Sequence, residues 1–176
     1  MSFKMLSQII NGIGSALNII GINIKDKRKV LIFFTFGNAC VATALWLLGA
    51  IVGMIVQIIF VVETIINYFW EKNHDKYPKW LMILYVIAPC VALAVTYQSL
   101  WDILPIIASI IFPIAMLSKN FILRFLNLIS TIAWIPYNIH FGQYVGTVSC
   151  TLLAFMTLVA ILRLDIIEKR RKAWKL

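Results

Sequence analysis

Residues Ala50 to Trp70 read AIVGMIVQIIFVVETIINYFW. Glu63 is the one acidic or basic residue of the Asp, Glu, Lys, Arg and His kind in these 21 residues. The apolar residues run on continuously, without the alternation of a barrel strand. About 20 mainly apolar residues, at ~1.5 Å of helical rise each, cross the ~30 Å hydrocarbon layer. Only helices and closed barrels satisfy their backbone groups in lipid, so the run is read as a membrane-spanning helix.

Working outward, six more runs share this character: Leu6–Ile24, Val30–Leu48, Trp80–Tyr97, Ile103–Leu117, Phe121–Tyr137 and Tyr144–Leu164. The short Ile103–Leu117 run carries Pro105 in its first turn, where a missing N–H costs nothing, and Pro113 farther in, where a kink is predicted. Composition agrees with an all-α membrane protein. Of the 176 residues, 62% are apolar or aromatic and 13% charged, against ~45–50% and ~25% in soluble domains. Lys4 is a thin positive region and no A-x-A-like site follows the first run, so that run reads as a retained span rather than a signal peptide.

The net charge of +9 does not imply nucleic acid, because the basic residues sit between apolar spans and the aromatic residues within them. Of the 16 Lys and Arg, all except Lys4 fall on one side of the spans: in the links Lys25 to Lys29, Glu71 to Lys79 and Ser118 to Asn120, at Arg124 and Arg163 near span ends, and in the tail. The basic side is cytoplasmic, which with seven spans predicts the N-terminus outside and the C-terminus inside. Trp70, Tyr77 and Trp80 read as anchors at the inner face, and Trp46, Tyr97, Trp101, Tyr137 and Tyr144 at the outer face. The tail, 165–176, reads as an anchor on anionic inner-leaflet lipid.

Gly49-Ala50-Ile51-Val52-Gly53 and Gly142-Gln143-Tyr144-Val145-Gly146 share a G-x-x-V-G pattern at the start of a third span, 93 residues apart. This predicts two parallel three-helix repeats, 6–70 and 103–164, joined by a linker helix at 80–97. Parallel repeats about an axis along the membrane normal occur in SWEET-type sugar facilitators. The glycines themselves read first as points of close helix approach.

Ionisable groups inside a bilayer tend to be functional. Glu63 lies about two turns from Trp70, with Gln57, Phe60 and Asn67 loosely on the same face. It reads either as a proton-coupling or substrate-binding carboxylate, or as a structural partner of a neighbouring helix. Asn127, Ser130, Thr131, Trp134 and Asn138 recur at helical spacing in the sixth span, and Asn38 falls opposite Thr131 on the 93-residue offset. A ring wall with amides suits sugar-like or nucleoside-like ligands, while helix–helix hydrogen bonding is the plainer reading. Arg124 and Arg163 read as snorkelling to headgroups, and Asp102 as solvated or a helix cap. Cys40, Cys90 and Cys150 lie far apart in apolar runs, without ligand spacing. His74 and His140 are expected on opposite sides of the membrane, and the usual hydrolase, zincin and phosphate-loop motifs are missing. No enzyme, cofactor or metal is therefore expected.

The second half also carries a family pattern. Leu104-Pro105-Ile106-Ile107-Ala108-Ser109-Ile110, Ser118-Lys119-Asn120, Arg124-Phe125-Leu126, Trp134-Ile135-Pro136-Tyr137-Asn138-Ile139, Gly142, Val145-Gly146 and Ile161-Leu162-Arg163-Leu164-Asp165 occur in that order. In this the chain resembles the YgjV family of bacterial inner-membrane proteins, over nearly its whole length and most specifically from Ile103 to Asp165. The resemblance implies kinship with SWEET, PQ-loop and PnuC-type proteins, a three-plus-one-plus-three fold, and transport of a small polar molecule. A PQ pair is missing, and the SWEET-like prolines Pro113 and Pro136 have Ile20 and Thr43 as first-triplet counterparts. The expected function is a transporter of a sugar-, nucleoside- or vitamin-like solute by alternating access. The alternative is a non-transporting structural or regulatory membrane protein, and a homo-oligomer stays open.

Overall fold

Each apolar run becomes a helix, and the polar residues between runs decide where it begins and ends. A computed structural model describes residues 2–73, 78–97, 99–118 and 120–163. Among them are seven α-helices: α1 (Phe3–Ile22), α2 (Lys27–Leu47), α3 (Ile51–Asn73), α4 (Lys79–Thr96), α5 (Ile103–Leu117), α6 (Asn120–His140) and α7 (Tyr144–Ala160). His74, Lys76, Tyr77, Lys119 and the basic tail lie outside the described residues.

Caps set the starts. Ser2 Oγ accepts from Met5 N–H (3.3 Å) and opens α1. Asp26, alone among the basic residues of its link, accepts from Arg28 N–H (3.0 Å) and opens α2. Of the two readings of Asp102 the cap holds and the solvated one does not: it is buried, and accepts from Ser99 N–H (2.8 Å) at the 3-10 turn Leu100–Asp102 ahead of α5. Pro105 lies in the first turn of α5, while Pro89, Pro113 and Pro136 lie inside α4, α5 and α6.

The ends of α2 and α6 correct the reading of two glycines. Gly49 and Gly142 have φ of 73° and 67°, a left-handed backbone that other residues rarely adopt. Gly49 N–H donates to Trp46 C=O and Ala50 N–H to Leu45 C=O. Gly142 N–H donates to Ile139 C=O and Gln143 N–H to Asn138 C=O. Both are Schellman turns. These two glycines terminate helices; close approach belongs instead to Gly53 and Gly146.

Five helices are long and apolar enough to cross a membrane by length and composition, namely α1, α2, α3, α6 and α7 with its continuation to Arg163. The other two expected spans are shorter apolar helices, Trp80–Thr96 and Leu100–Ala115. Phe36, Phe69, Val95 and Phe155 are each more than half exposed, part of an apolar surface far too extensive for water.

The packing forms a ring. α1 packs on α2, α2 on α3, α3 on α5, α5 on α6, α6 on α7, and α7 returns to α1. α4 stands outside, against α3 and α5. At one end α1 is stitched to the α6–α7 turn: Gln8 Nε2 donates to Gly142 C=O (3.2 Å), and Val145 N–H donates to Gln8 Oε1 (2.8 Å). Beside it Gln143 Nε2 donates to Ser7 Oγ (2.9 Å), which donates to Ala44 C=O (2.8 Å). At the other end Glu71 of α3 pairs with Lys27 of α2 (3.1 Å) and its carbonyl accepts from Arg28 (3.2 Å).

Two further expectations change. Tyr137 is not an interfacial anchor: it is fully buried, and its hydroxyl accepts from Gly53 N–H (3.0 Å). That N–H is one of the donors a helix start leaves unpaired. Replacing Tyr137 with Phe keeps the ring and removes the acceptor, so thermal unfolding of the purified protein should show a loss of about 1 kcal/mol. Arg124, expected at the headgroups, is buried within the protein.

Candidate functional site

The six ring helices line a partly open cavity of about 70 Å³, roughly midway along their length. Helical periodicity fills its walls. In α1, Asn11, Ser15 and Asn18 fall at i, i+4 and i+7, and in α2 Phe34, Asn38 and Val41 repeat that spacing. α3 adds Gln57 and Phe60, and α5 adds Phe112. α6 contributes Asn127, Ser130, Thr131, Trp134 and Asn138, and α7 Gly146, Ser149, Cys150 and Leu153.

One part of the wall is aromatic. The Phe60 and Phe112 rings lie 4.2 Å apart between centroids, joining α3 to α5. Phe34 approaches Phe112 at 6.1 Å, and Trp134 meets Phe60 edge-on at 6.5 Å. Trp134 also meets Tyr137 edge-on at 5.5 Å. Such geometry fixes the indole plane.

The remaining wall is amide and hydroxyl. Asn18 Nδ2 donates to Asn38 Oδ1 (3.3 Å), and Ser15 Oγ to Asn11 Oδ1 (3.1 Å). Thr131 and Ser130 donate to Asn127 C=O (2.7 Å) and Ala108 C=O (3.2 Å). Asn138 Nδ2 reaches Cys150 Sγ (3.5 Å). After these bonds Asn18 Oδ1, Asn38 Nδ2, Gln57 Oε1 and Asn127 Nδ2 are buried with no hydrogen-bond partner among the described residues. Buried polar atoms are nearly always paired, so each of the four has capacity for water or a solute.

Of the candidates read from the sequence, Asn38, Gln57, Phe60, Asn127, Thr131, Trp134 and Asn138 come together on this wall. Glu63 and Asn67 do not line it: they lie farther along α3, toward its C-terminal end. There Asn67 Oδ1 accepts from Tyr85 OH of α4 (2.9 Å), while Glu63 is 2% exposed and neither carboxylate oxygen has a hydrogen-bond partner among the described residues. The α1 stripe of Asn11, Ser15 and Asn18 has the same helical spacing as the α6 stripe and joins the site beyond the residues expected from the sequence. Ser149 and Cys150 sit among small residues that carry no comparable signal.

No curated protein and no solved structure matches this chain. A family model described as a bacterial inner membrane protein, YgjV, matches residues 5–167. With the apolar helices and their lipid-facing surface already described, the chain belongs to the YgjV family of bacterial inner membrane proteins and is a multi-pass protein of that membrane.

Proposed function

We propose that the protein carries a small polar solute across the inner membrane by alternating access, as α1–α3 rocks against α5–α7. The observation that carries this reading is the polar cavity, placed where the two sets of helices meet and walled by both. Membrane solute sites sit at such repeat interfaces near the bilayer midplane.

The finer architecture belongs to the same proposal: seven spans, two parallel three-helix repeats with α4 as linker, N-terminus outside and C-terminus inside. Three observations support it. The ring contacts fall into matching sets, α1–α2 with α5–α6, α2–α3 with α6–α7, and α3–α5 with α7–α1. The matching Schellman turns at Gly49 and Gly142 lie 93 residues apart. At that spacing Phe34 pairs with Asn127, Asn38 with Thr131, Val41 with Trp134, Gln57 with Cys150 and Phe60 with Leu153, and all ten line the cavity. The protein is read as a non-enzyme, with the basic tail on anionic lipid.

Glu63 stands apart from the cavity, at the α3–α4 side, and is assigned proton coupling rather than solute contact. Exchanging Glu63 for Gln should remove any stimulation of uptake by an imposed proton gradient and leave gradient-independent exchange in place. Equal stimulation of both proteins would end that assignment.

Purified protein in lipid vesicles, offered radiolabelled sugars, nucleosides and vitamins, should show saturable uptake of at least one class above empty vesicles. The size of the cavity favours a second reading, a non-transporting packing protein. About 70 Å³ is less than half of a ~150 Å³ cavity that admits benzene, so a carrier must open further than this conformation. Absence of saturable uptake across the panel would favour the second reading.

A further inference from the structure

The cavity's unmet hydrogen-bonding atoms divide evenly by chemistry. Asn18 Oδ1 and Gln57 Oε1 are unpaired acceptors, and Asn38 Nδ2 and Asn127 Nδ2 unpaired donors among the described residues, all four packed into the wall on side chains that line the cavity. A cation site turns oxygens inward, and an anion site turns N–H groups inward. This wall carries both kinds of group on neutral amides. None of its side chains is acidic or basic, and the buried ionisable groups Glu63, Asp102 and Arg124 all lie off it. An ion placed there would be desolvated among rings and neutral amides with no opposite charge in the lining, at a cost far above that of an unmade neutral hydrogen bond. A solute presenting donor and acceptor together can pair with these amides, once they turn toward it, without that penalty.

We infer that the solute is uncharged and bears adjacent hydrogen-bond donors and acceptors, as a polyol or a carboxamide does, and that its acidic and basic analogues are rejected. This rests on reading the cavity as a solute site. Asn127 sets the rejection from the α6 side: it is 5% exposed, lines the cavity, and its side-chain amide nitrogen has no hydrogen-bond partner among the described residues.

Two series of closely matched size separate charge from shape: acetamide, acetate and ethylammonium, and glucose, glucuronate and glucosamine. Thermal unfolding of the full chain in detergent at pH 7 reads binding to the native state. The neutral member of at least one series should raise the midpoint saturably, with its charged partners weaker by roughly a hundredfold or more. Asn127→Asp, nearly isosteric, should weaken the neutral member at least about tenfold and move the preference to the cation. If that variant does not fold, Asn38→Asp carries the same test. A charged member binding the wild-type protein as well as its neutral partner overturns the inference and leaves the cavity a solute site. A foldable variant that keeps the wild-type profile also overturns it. No saturable shift with any of the six solutes overturns the solute-site reading, and the inference with it.

Discussion

Replacing Trp134 with alanine is expected to reduce apparent solute affinity in reconstituted vesicles by roughly tenfold or more, at least about 1.4 kcal/mol. The indole is 6% exposed, borders the cavity, and is held edge-on by Phe60 and Tyr137. It is the large rigid surface against which a ring or carbon skeleton can lie. Its loss also opens a void in the α3–α6 packing, worth about 3 kcal/mol of stability. Uptake and unfolding therefore have to be measured on the same preparations. Trp134→Phe keeps a ring in place and should recover most stability and part of the affinity. Unchanged affinity in a folded Trp134→Ala protein would remove the indole from the site.

The second large effect is mechanical. A Cβ on Gly14 would lie 2.6 Å from the Gly37 carbonyl oxygen and 2.8 Å from Cys40 Cβ. A Cβ on Gly37 would lie 2.9 Å from the Gly14 carbonyl oxygen and would meet Asn18 Oδ1. α1 and α2 thus cross backbone to backbone, and no rotamer change relieves the clash. Gly14→Val should cost about 2–3 kcal/mol, read as a lower unfolding midpoint in mixed micelles. The Asn18–Asn38 bond one turn away should separate with the helices. Gly12 is the control: a Cβ there meets only Val145 Cγ1, at 3.5 Å, so Gly12→Ala should cost nothing and gain up to about 1 kcal/mol from the lost helix-interior glycine. An equal loss in both variants would rule out the crossing as the cause.

The helices were legible because lipid imposes one requirement, continuous apolar length, on every span. α2, α3 and α6 begin within a few residues of their expected starts, and α3 runs past Trp70 to Asn73. The α6 stripe was legible because polar residues stand out at helical spacing in an apolar run. Tyr137 and Arg124 were misplaced for one reason: both lie near span ends, where interface and interior demand the same amphipathic side chain, and only tertiary contacts decide between them. Glu63 was grouped with Gln57 and Phe60 because spacing along one helix fixes direction but not depth. Its carboxyl lies along α3 past the aromatic pair, and periodicity alone does not reveal where a cavity stops. Gly49 was visible as a small residue, but its positive φ follows from the turn it closes.

The bonds of Gln8 to Gly142 and Val145 span most of the chain. Spans leave the ribosome in order, so α1 enters the bilayer with Gln8 lacking these partners until the α6–α7 turn has been made. Closure of the ring is then a late event in biogenesis, completed when the last span docks on the first. A chain halted before Gln143 would leave that flank of α1 open to lipid and the cavity without its sixth wall.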